Sequence, residues 1–575
     1  PDLPWDSLSE SLGALAQLKK LMVGQNFLGT AATLKKALPH VTIDAAPWFK
    51  LELLEEQAKY PDGIRFLDLQ DAGIKDVPDE VLLFSDLEAI DLSENPLMNW
   101  DRAFDKLAKL PKLKEVRFKN SGLEGLPDSF MGLSHLETVD FTQIHKRDTA
   151  KELNFLGKMS RLKQVNLGKF KAIPLECEEP SQADYPLPHM PSLESITFSG
   201  GFYQESHLAF YVDWLNTLPN FRSFTMETNY YTLKPLKNLK QLKALQVSGY
   251  KMTGIEDVLD AQSELEHLGF SYHLLTPPDE KEKTVYFPKS IREMKKLSSL
   301  NIAFTDQSNK ATSYQYGGLP DWLPELPLTA FSFISRYRSE RCPQNIPDIV
   351  YQLTGLKKLY IEINSKNVIL KPEIANLSRI EELTLQGYVD MTPELRLPAT
   401  LKRFSAYSIP GNLAELTCLE ELDMNDYLDD KAITALSNLK ELRELKAWID
   451  EGFTIPPSLT KLRKLKTNGS LPELEKLESL EISGEIEFPS MLPSLRKLTY
   501  NPKGENWLSQ LDILAAYPKL RELKLELYDN PKYPSARNLG KLKQLTYLYL
   551  ASNKNTAKKI NSIRKRLPNC LVDFS

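Results

Sequence analysis

The string Leu-x-x-Leu-x-Leu, or an apolar variant of it, recurs along almost the whole chain. It reads Leu87-Ile90-Leu92, Leu113-Val116-Phe118, Leu136-Val139-Phe141, Leu162-Val165-Leu167 and Leu193-Ile196-Phe198 in the first half. It returns as Leu356-Leu359-Ile361, Leu419-Leu422-Met424, Leu477-Leu480-Ile482, Leu520-Leu523-Leu525 and Leu545-Leu548-Leu550. Units run from a first start at Ile64 to a last at Leu545; 21 of them over 481 residues give a mean period of 24. Within each, apolar positions 4 and 6 alternate with polar positions 3, 5 and 7, the pattern of a half-buried strand. One short strand cannot bury its leucines alone. Neighbouring units must therefore stack, with strands in parallel and the rest of each unit returning along the opposite side. A length of 575 residues would otherwise imply three or four globular domains.

Several units carry a second signature. Val77-Pro78-Asp79-Glu80-Val81, Leu126-Pro127-Asp128 and Ile346-Pro347-Asp348-Ile349-Val350 place a proline where the chain turns, followed by a short helical or 3-10 return. The two signatures together resemble the bacterial leucine-rich-repeat proteins, over nearly the whole chain. The resemblance implies an α/β solenoid: a horseshoe with a parallel sheet on its concave face, and irregular, 3-10 and short helical segments on its convex face. It is specific for fold and nearly silent on function.

Unit length is uneven. Units starting at Leu162, Leu193, Leu265, Leu297 and Leu328 are long enough for helices on the return, whereas those at Leu462 and Leu477 leave room for little more than an extended crossing. Asparagine at the turn after the strand is kept at Asn26, Asn95 and Asn553 but is replaced in most middle units. Residues 1–44 read as the last repeat and cap of a preceding array, because Leu34–Asp44 and Ile563–Phe574 share a helix, Leu-Pro and alternating-strand ending. Residues 45–63 then form the N-terminal cap of the main array, 64–550 its repeats, and 551–575 its C-terminal cap. The opening Pro1-Asp2-Leu3-Pro4 suggests a processed or truncated N-terminus.

Composition narrows the function classes. A net charge of −5 with 26% charged residues gives no basic excess for nucleic acid, and the basic stretch around Arg564–Arg566 reads as a solvated cap helix. No apolar run approaches the roughly 18 residues of a transmembrane helix. Four cysteines, Cys177, Cys342, Cys418 and Cys570, lack metal-ligand spacing; Cys418 and Cys570 sit in apolar consensus contexts and are expected in the core. No GxSxG, P-loop, HExxH or GxGxxG motif is present, so neither an enzyme nor a cofactor site is expected.

The binding surface is then the open face of the sheet, formed by positions 3, 5 and 7. From Leu136 to Leu328 these residues are small and polar, with Thr197, Thr225, Gln246 and Asn301 as candidate ligand-binding positions. From Leu356 onward charges return: Lys358, Glu362, Arg403, Glu421, Asp423, Lys446, Lys464 and Lys466. Aromatic residues follow the strands and should line one edge: Tyr203, Tyr230, Tyr231, Tyr250, Tyr272 and Tyr337 beside the polar floor, then Tyr388, Tyr407, Tyr427 and Trp448. Rigid amphipathic rings give contact area at low entropic cost. Inserts at 276–290 and 305–320 adjoin the same segment, which makes roughly 193–340 the favoured ligand region. The expected function is non-catalytic recognition of a protein or peptide. A cell-surface glycan-binding protein and an accessory module of a multi-domain enzyme or effector are the alternatives. A secreted or cell-surface location is favoured, with the cytoplasm left open.

Overall fold

The structure is a computed structural model. It describes residues 20–23, 42–45, 61–141, 152–168, 177–199, 204–228, 233–249, 255–273, 283–305, 314–336, 343–449, 453–527, 532–551 and 557–574, apart from one or two positions at a time within these ranges, and a few outside them. The chain divides into two compact units, Pro1–Thr228 and Asn229–Ser575.

In the first unit, seven short strands from Phe66–Asp68 to Ser223–Thr228 each pair in parallel with the next. Their register places one apolar residue per strand in a single row: Leu67, Ile90, Val116, Val139, Val165, Ile196 and Phe224. Every member of that row is buried. The strands are short because each contributes only two inward positions; all further stability comes from stacking. Where a return is long, aromatic residues fill it. The helix Trp100–Leu107 is capped by Asn99, whose Oδ1 accepts from Arg102 N at 3.2 Å. It sends Phe104 against Phe130 at 5.0 Å between ring centroids, and Trp100 against Phe118 at 5.7 Å. Lys20–Val23 and Thr42–Ala45 form a separate parallel pair.

In the second unit, fifteen strands from Ala244–Gly249 to Leu571–Phe574 follow the same rule. Leu359, Leu383, Phe404, Leu422, Leu445, Leu465 and Leu480 are consecutive members of its buried row. The Pro-Asp signatures begin 3-10 returns at Asp79–Leu83, Asp128–Leu133 and Asp348–Gln352. Longer returns hold α-helices, such as Glu205–Leu215 in the first unit and Asp430–Leu436 in the second. The two short units between Lys464–Thr467 and Lys497–Pro502 contain no helix. Two small parallel ladders lie outside the main one. Lys283–Val285 pairs with Tyr314–Tyr316 from the two long inserts, and Val368–Leu370 pairs with Val389–Met391.

Two expectations change at the residue level. Cys418 is exposed, not core, because it falls in the turn closed by Leu419 N donating to Leu416 O; Cys570 is buried. Turn asparagines come from the expected Asn95 and also from two unexpected positions, Asn412 and Asn468. Asn95 is fully buried, donating from Nδ2 to Leu69, Leu92 and Ser93 carbonyls and accepting from Ile74 N. Asn412 exchanges two hydrogen bonds with the Leu397 backbone, and Asn468 accepts from Ile449 N. Asn26 and Asn553 lie outside the described residues.

Candidate functional site

In a parallel ladder every backbone N–H and C=O within the strands is directed sideways to the neighbouring strand. The open face therefore offers side chains alone. In the first unit, Thr197 and Thr225 sit directly opposite each other on adjacent strands, both half-buried. In the second unit, Gln246, Gly269, Asn301, Ser332 and Tyr360 form one row. The Gln246 side chain lies across Gly269, where a Cβ would stand 1.6 Å from Oε1. Asn301 is half-buried, and its Oδ1 lacks a hydrogen-bond partner among the described residues. Tyr203, Tyr230, Tyr231, Tyr250 and Tyr337 lie outside the described residues. Tyr272 belongs to the strand His267–His273, but its side chain is outside them too.

The described side chains enclose a groove further along the second unit, of about 460 Å³. Its floor comes from six successive strands, starting at Thr384 and ending at Glu481. Four cations, Arg403, Lys446, Lys464 and Lys466, face four anions, Glu421, Asp423, Glu444 and Glu481. Each finds a partner across the ladder. Arg403 bridges Glu382 and Glu421, the latter at 3.1 Å; Lys464 meets Glu444 at 2.6 Å; Lys446 meets Asp423 at 2.9 Å; Lys466 pairs with Glu481. The Glu421 carboxylate holds the Arg403 guanidinium further into its charged range, and Glu444 does the same for Lys464. Just upstream, Arg336 donates to Glu362 at 3.0 Å, and the Tyr360 hydroxyl donates to the same carboxylate at 3.0 Å. Burial, then the Glu362 carboxylate, pushes the Tyr360 phenol up. The floor is thus electrically neutral and internally tied. Sequence reading found the cations but not the pairing. The available signal was the alternation of charge sign at equivalent positions of successive units, as in Lys358, Glu382, Arg403 and Glu421.

The same repeats carry an exposed aromatic ledge. Tyr388, Tyr407 and Tyr427 are 54%, 36% and 56% exposed, and Trp448 is half-buried. They come from four successive strands, beyond the ends of Glu382–Gln386 and Arg403–Ala406 and within Glu421–Leu428 and Glu444–Ile449. A bulge between Asp423 and Tyr427 brings Tyr427 directly opposite Trp448. Bulges re-aim side chains in this way. It is held by Lys446 donating to Asn425 at 3.1 Å, and by Tyr427 N donating to the Asp426 carboxylate at 2.8 Å. At the other end, Gly387 has a φ of +92°, which turns the chain before Tyr388, whose ring meets that of Tyr407 at 5.2 Å, edge to face.

Among the described residues there is no cluster of three or more His, Cys, Asp or Glu able to hold a metal ion, and no helix long and apolar enough to cross a membrane.

Over residues 360–575 the chain matches the family described as "Leucine-rich repeat region". It is 26% identical over 220 residues to the volume-regulated anion channel subunit LRRC8D of Rattus norvegicus, covering 38% of this chain and 22% of that protein. It is 24% identical over 293 residues to the disease resistance protein UNI of Arabidopsis thaliana, covering 43% of this chain and 30% of that protein. The chain therefore spans less than a third of the length of these curated relatives. Among solved structures, a Leptospira interrogans leucine-rich-repeat protein is similar at 18% identity and a TM-score of 0.28, covering 91% of this chain and 98% of that one. An internalin of Listeria monocytogenes is similar at 13% identity and a TM-score of 0.25, covering 73% and 93%.

Proposed function

We propose that this leucine-rich-repeat solenoid is a non-catalytic recognition scaffold, and that it holds a polypeptide partner on the open face of its second unit. One observation carries the reading: the groove over Thr384–Glu481 and the aromatic ledge Tyr388–Trp448 belong to the same repeats. Rings concentrated at an edge supply contact area, and the tied polar floor supplies fixed hydrogen-bonding groups. That combination of a hot aromatic strip and a polar surround is the anatomy of protein interfaces. The small polar floor at Thr197, Thr225, Gln246 and Asn301 is proposed as further contact surface within each unit.

Filling the groove tests this. Ser405 and Ser479 both line it and lie on the floor strands. Ser405→Trp with Ser479→Trp should abolish retention of the partners that co-purify with the full chain. Lys541→Ala, on a return segment, should retain them. Identical partner sets for all three proteins would contradict the proposal.

A further inference from the structure

Tyr427 owes its place beside Trp448 to an irregularity in its own strand. Up to Asp423, which stands opposite Lys446, Glu421–Leu428 runs in even register with Glu444–Ile449. Pairing resumes with Tyr427 opposite Trp448 and Leu428 opposite Ile449. Between these points one strand advances four residues, 423 to 427, and the other two, 446 to 448. Asn425 and Asp426 are therefore surplus to the ladder and form the bulge.

The inward row explains why this strand bulges. On the partner strand that row is Leu445, Ala447 and Ile449, all buried. Leu422 and Met424 are buried beside its first two members. An unbroken register would bring Asp426 to the third place, opposite Ile449, and Asn425 opposite Trp448. A shift of one residue reverses which side chains face inward, but a shift of two preserves it. Over the paired stretch the two registers thus differ in one inward side chain, Asp426 or Leu428. A carboxylate buried among apolar side chains without a partner is costly, whereas a buried leucine is favourable. In the structure Leu428 is buried, and Asp426 stays half-buried, its carboxylate accepting from Tyr427 N at 2.8 Å.

The surroundings accommodate the bulge. The ladder to the preceding strand, Arg403–Ala406, ends at Met424, so it sets no register beyond that point. Lys446 spans the entry to the bulge, 2.9 Å from Asp423 and 3.1 Å from Asn425. The helix Asp430–Leu436, capped by Asp429, begins directly after Leu428 and fixes the exit. Without the bulge Tyr427 would stand two residues further on, about 6.6 Å along the strand, and the small Asn425 would lie beside Trp448.

We propose that Asp426 is a positioning residue of the recognition surface: its exclusion from the inward row selects the bulged register that sets Tyr427 beside Trp448. The register itself does not depend on what binds. That recognition requires this register rests on the reading of the face as a polypeptide-binding surface.

The register is read in the full chain with paired cysteines and a short bifunctional thiol reagent, the cross-linked peptides being identified by mass spectrometry. Tyr427→Cys with Trp448→Cys should cross-link, and Asn425→Cys with Trp448→Cys at least fivefold less. Adding Asp426→Leu, which offers the inward row a second leucine, should raise the 425–448 product at least fivefold and lower the 427–448 product. Asp426→Ala, which adds no bulk, should shift the products in the same direction and serves where Asp426→Leu fails to fold. Asp426→Asn keeps a polar side chain and the acceptor for Tyr427 N, and should leave the pattern unchanged. With native cysteines and rings, Asp426→Leu should retain co-purifying proteins at least fivefold less than the parent chain, and Asp426→Asn within about twofold. An unchanged pattern in both Asp426→Leu and Asp426→Ala, or the same shift in Asp426→Asn, would overturn the register assignment. A shifted register with undiminished retention would overturn the positioning role. Loss of partners on filling the groove with Ser405→Trp and Ser479→Trp, in that event, would leave the scaffold standing and this inference alone fallen.

Discussion

Asn95 closes the turn after its strand with four hydrogen bonds, in a fully buried position. Replacing it with alanine removes the side-chain donor to the Leu92 and Ser93 carbonyls and the acceptor for Ile74 N, while the Leu69 carbonyl keeps Ala72 N at 3.3 Å. Each unsatisfied buried group costs about 1–3 kcal/mol. Partial relaxation considered, Asn95→Ala should destabilise by about 3 kcal/mol, read as a fall in urea midpoint with an unchanged slope; a loss below about 1 kcal/mol would show the turn does not depend on it. Buried tyrosines set the alkaline limit. Burial pushes the Tyr351 phenol up to about 12 and raises Tyr500 and Tyr517 further. An unfolded tyrosine ionises near 10, so the folded state favours the neutral form. The associated stability is present below pH 10 and is lost as pH rises from 10 through 12. Melting temperature should therefore fall between pH 10 and 11 and be flat from pH 8 to 9.5. The Asn95 role was legible from its place in the repeat. The substitution of Asn412 and Asn468 for missing turn asparagines was not, because their backbone partners, Leu397 and Ile449, lie 15 and 19 residues away and depend on unit length.

Single strands and turns show where the pattern informs and where it stops. Alternation at positions 3 to 7 specified the strands because one register alone buries every leucine in the row. It could not show which floor charges meet, since that depends on the inter-strand register. The floor also contains like-charged neighbours, Glu421 opposite Glu444 and Lys446 opposite Lys466. Such juxtapositions offset the gain from Glu444–Lys464, and exposed pairs contribute little in any case. Glu444→Gln should accordingly leave the urea midpoint unchanged despite losing a 2.6 Å ion pair. Gly387 behaves otherwise. A Cβ there would lie 2.3 Å from the Ile363 carbonyl oxygen, and the +92° φ is itself unfavourable for an L side chain. Gly387→Ala should cost about 2–3 kcal/mol and disturb the Tyr388–Tyr407 ring contact. A midpoint equal to the wild type would mean that the turn is free to rearrange.

At the scale of the molecule, the repeat is what makes a recognition surface possible. Each unit presents the same three outward positions, so a ledge or a groove arises by repeating one choice over several units. The open face was readable from the period of 24; of the rings expected after the strands, Tyr388 and Tyr407 lie beyond theirs, Tyr427 and Trp448 lie within theirs, and Tyr203, Tyr230, Tyr231, Tyr250 and Tyr337 lie outside the described residues. The place of the groove was not readable. Sequence favoured 193–340 for its small polar floor and inserts, a segment whose edge tyrosines largely lie outside the described residues; the groove enclosed by the described side chains lies over Thr384–Glu481, lined by long charged side chains paired across the strands. Recognition is expected on that face. Hydroxyl-radical footprinting of the full chain, alone and with a co-purified partner, tests it most directly. Protection should concentrate on Tyr388, Tyr407, Tyr427 and Trp448, with returns such as Asp430–Leu436 unchanged. Protection confined to the return segments, with the four rings as reactive as in the free protein, would contradict it.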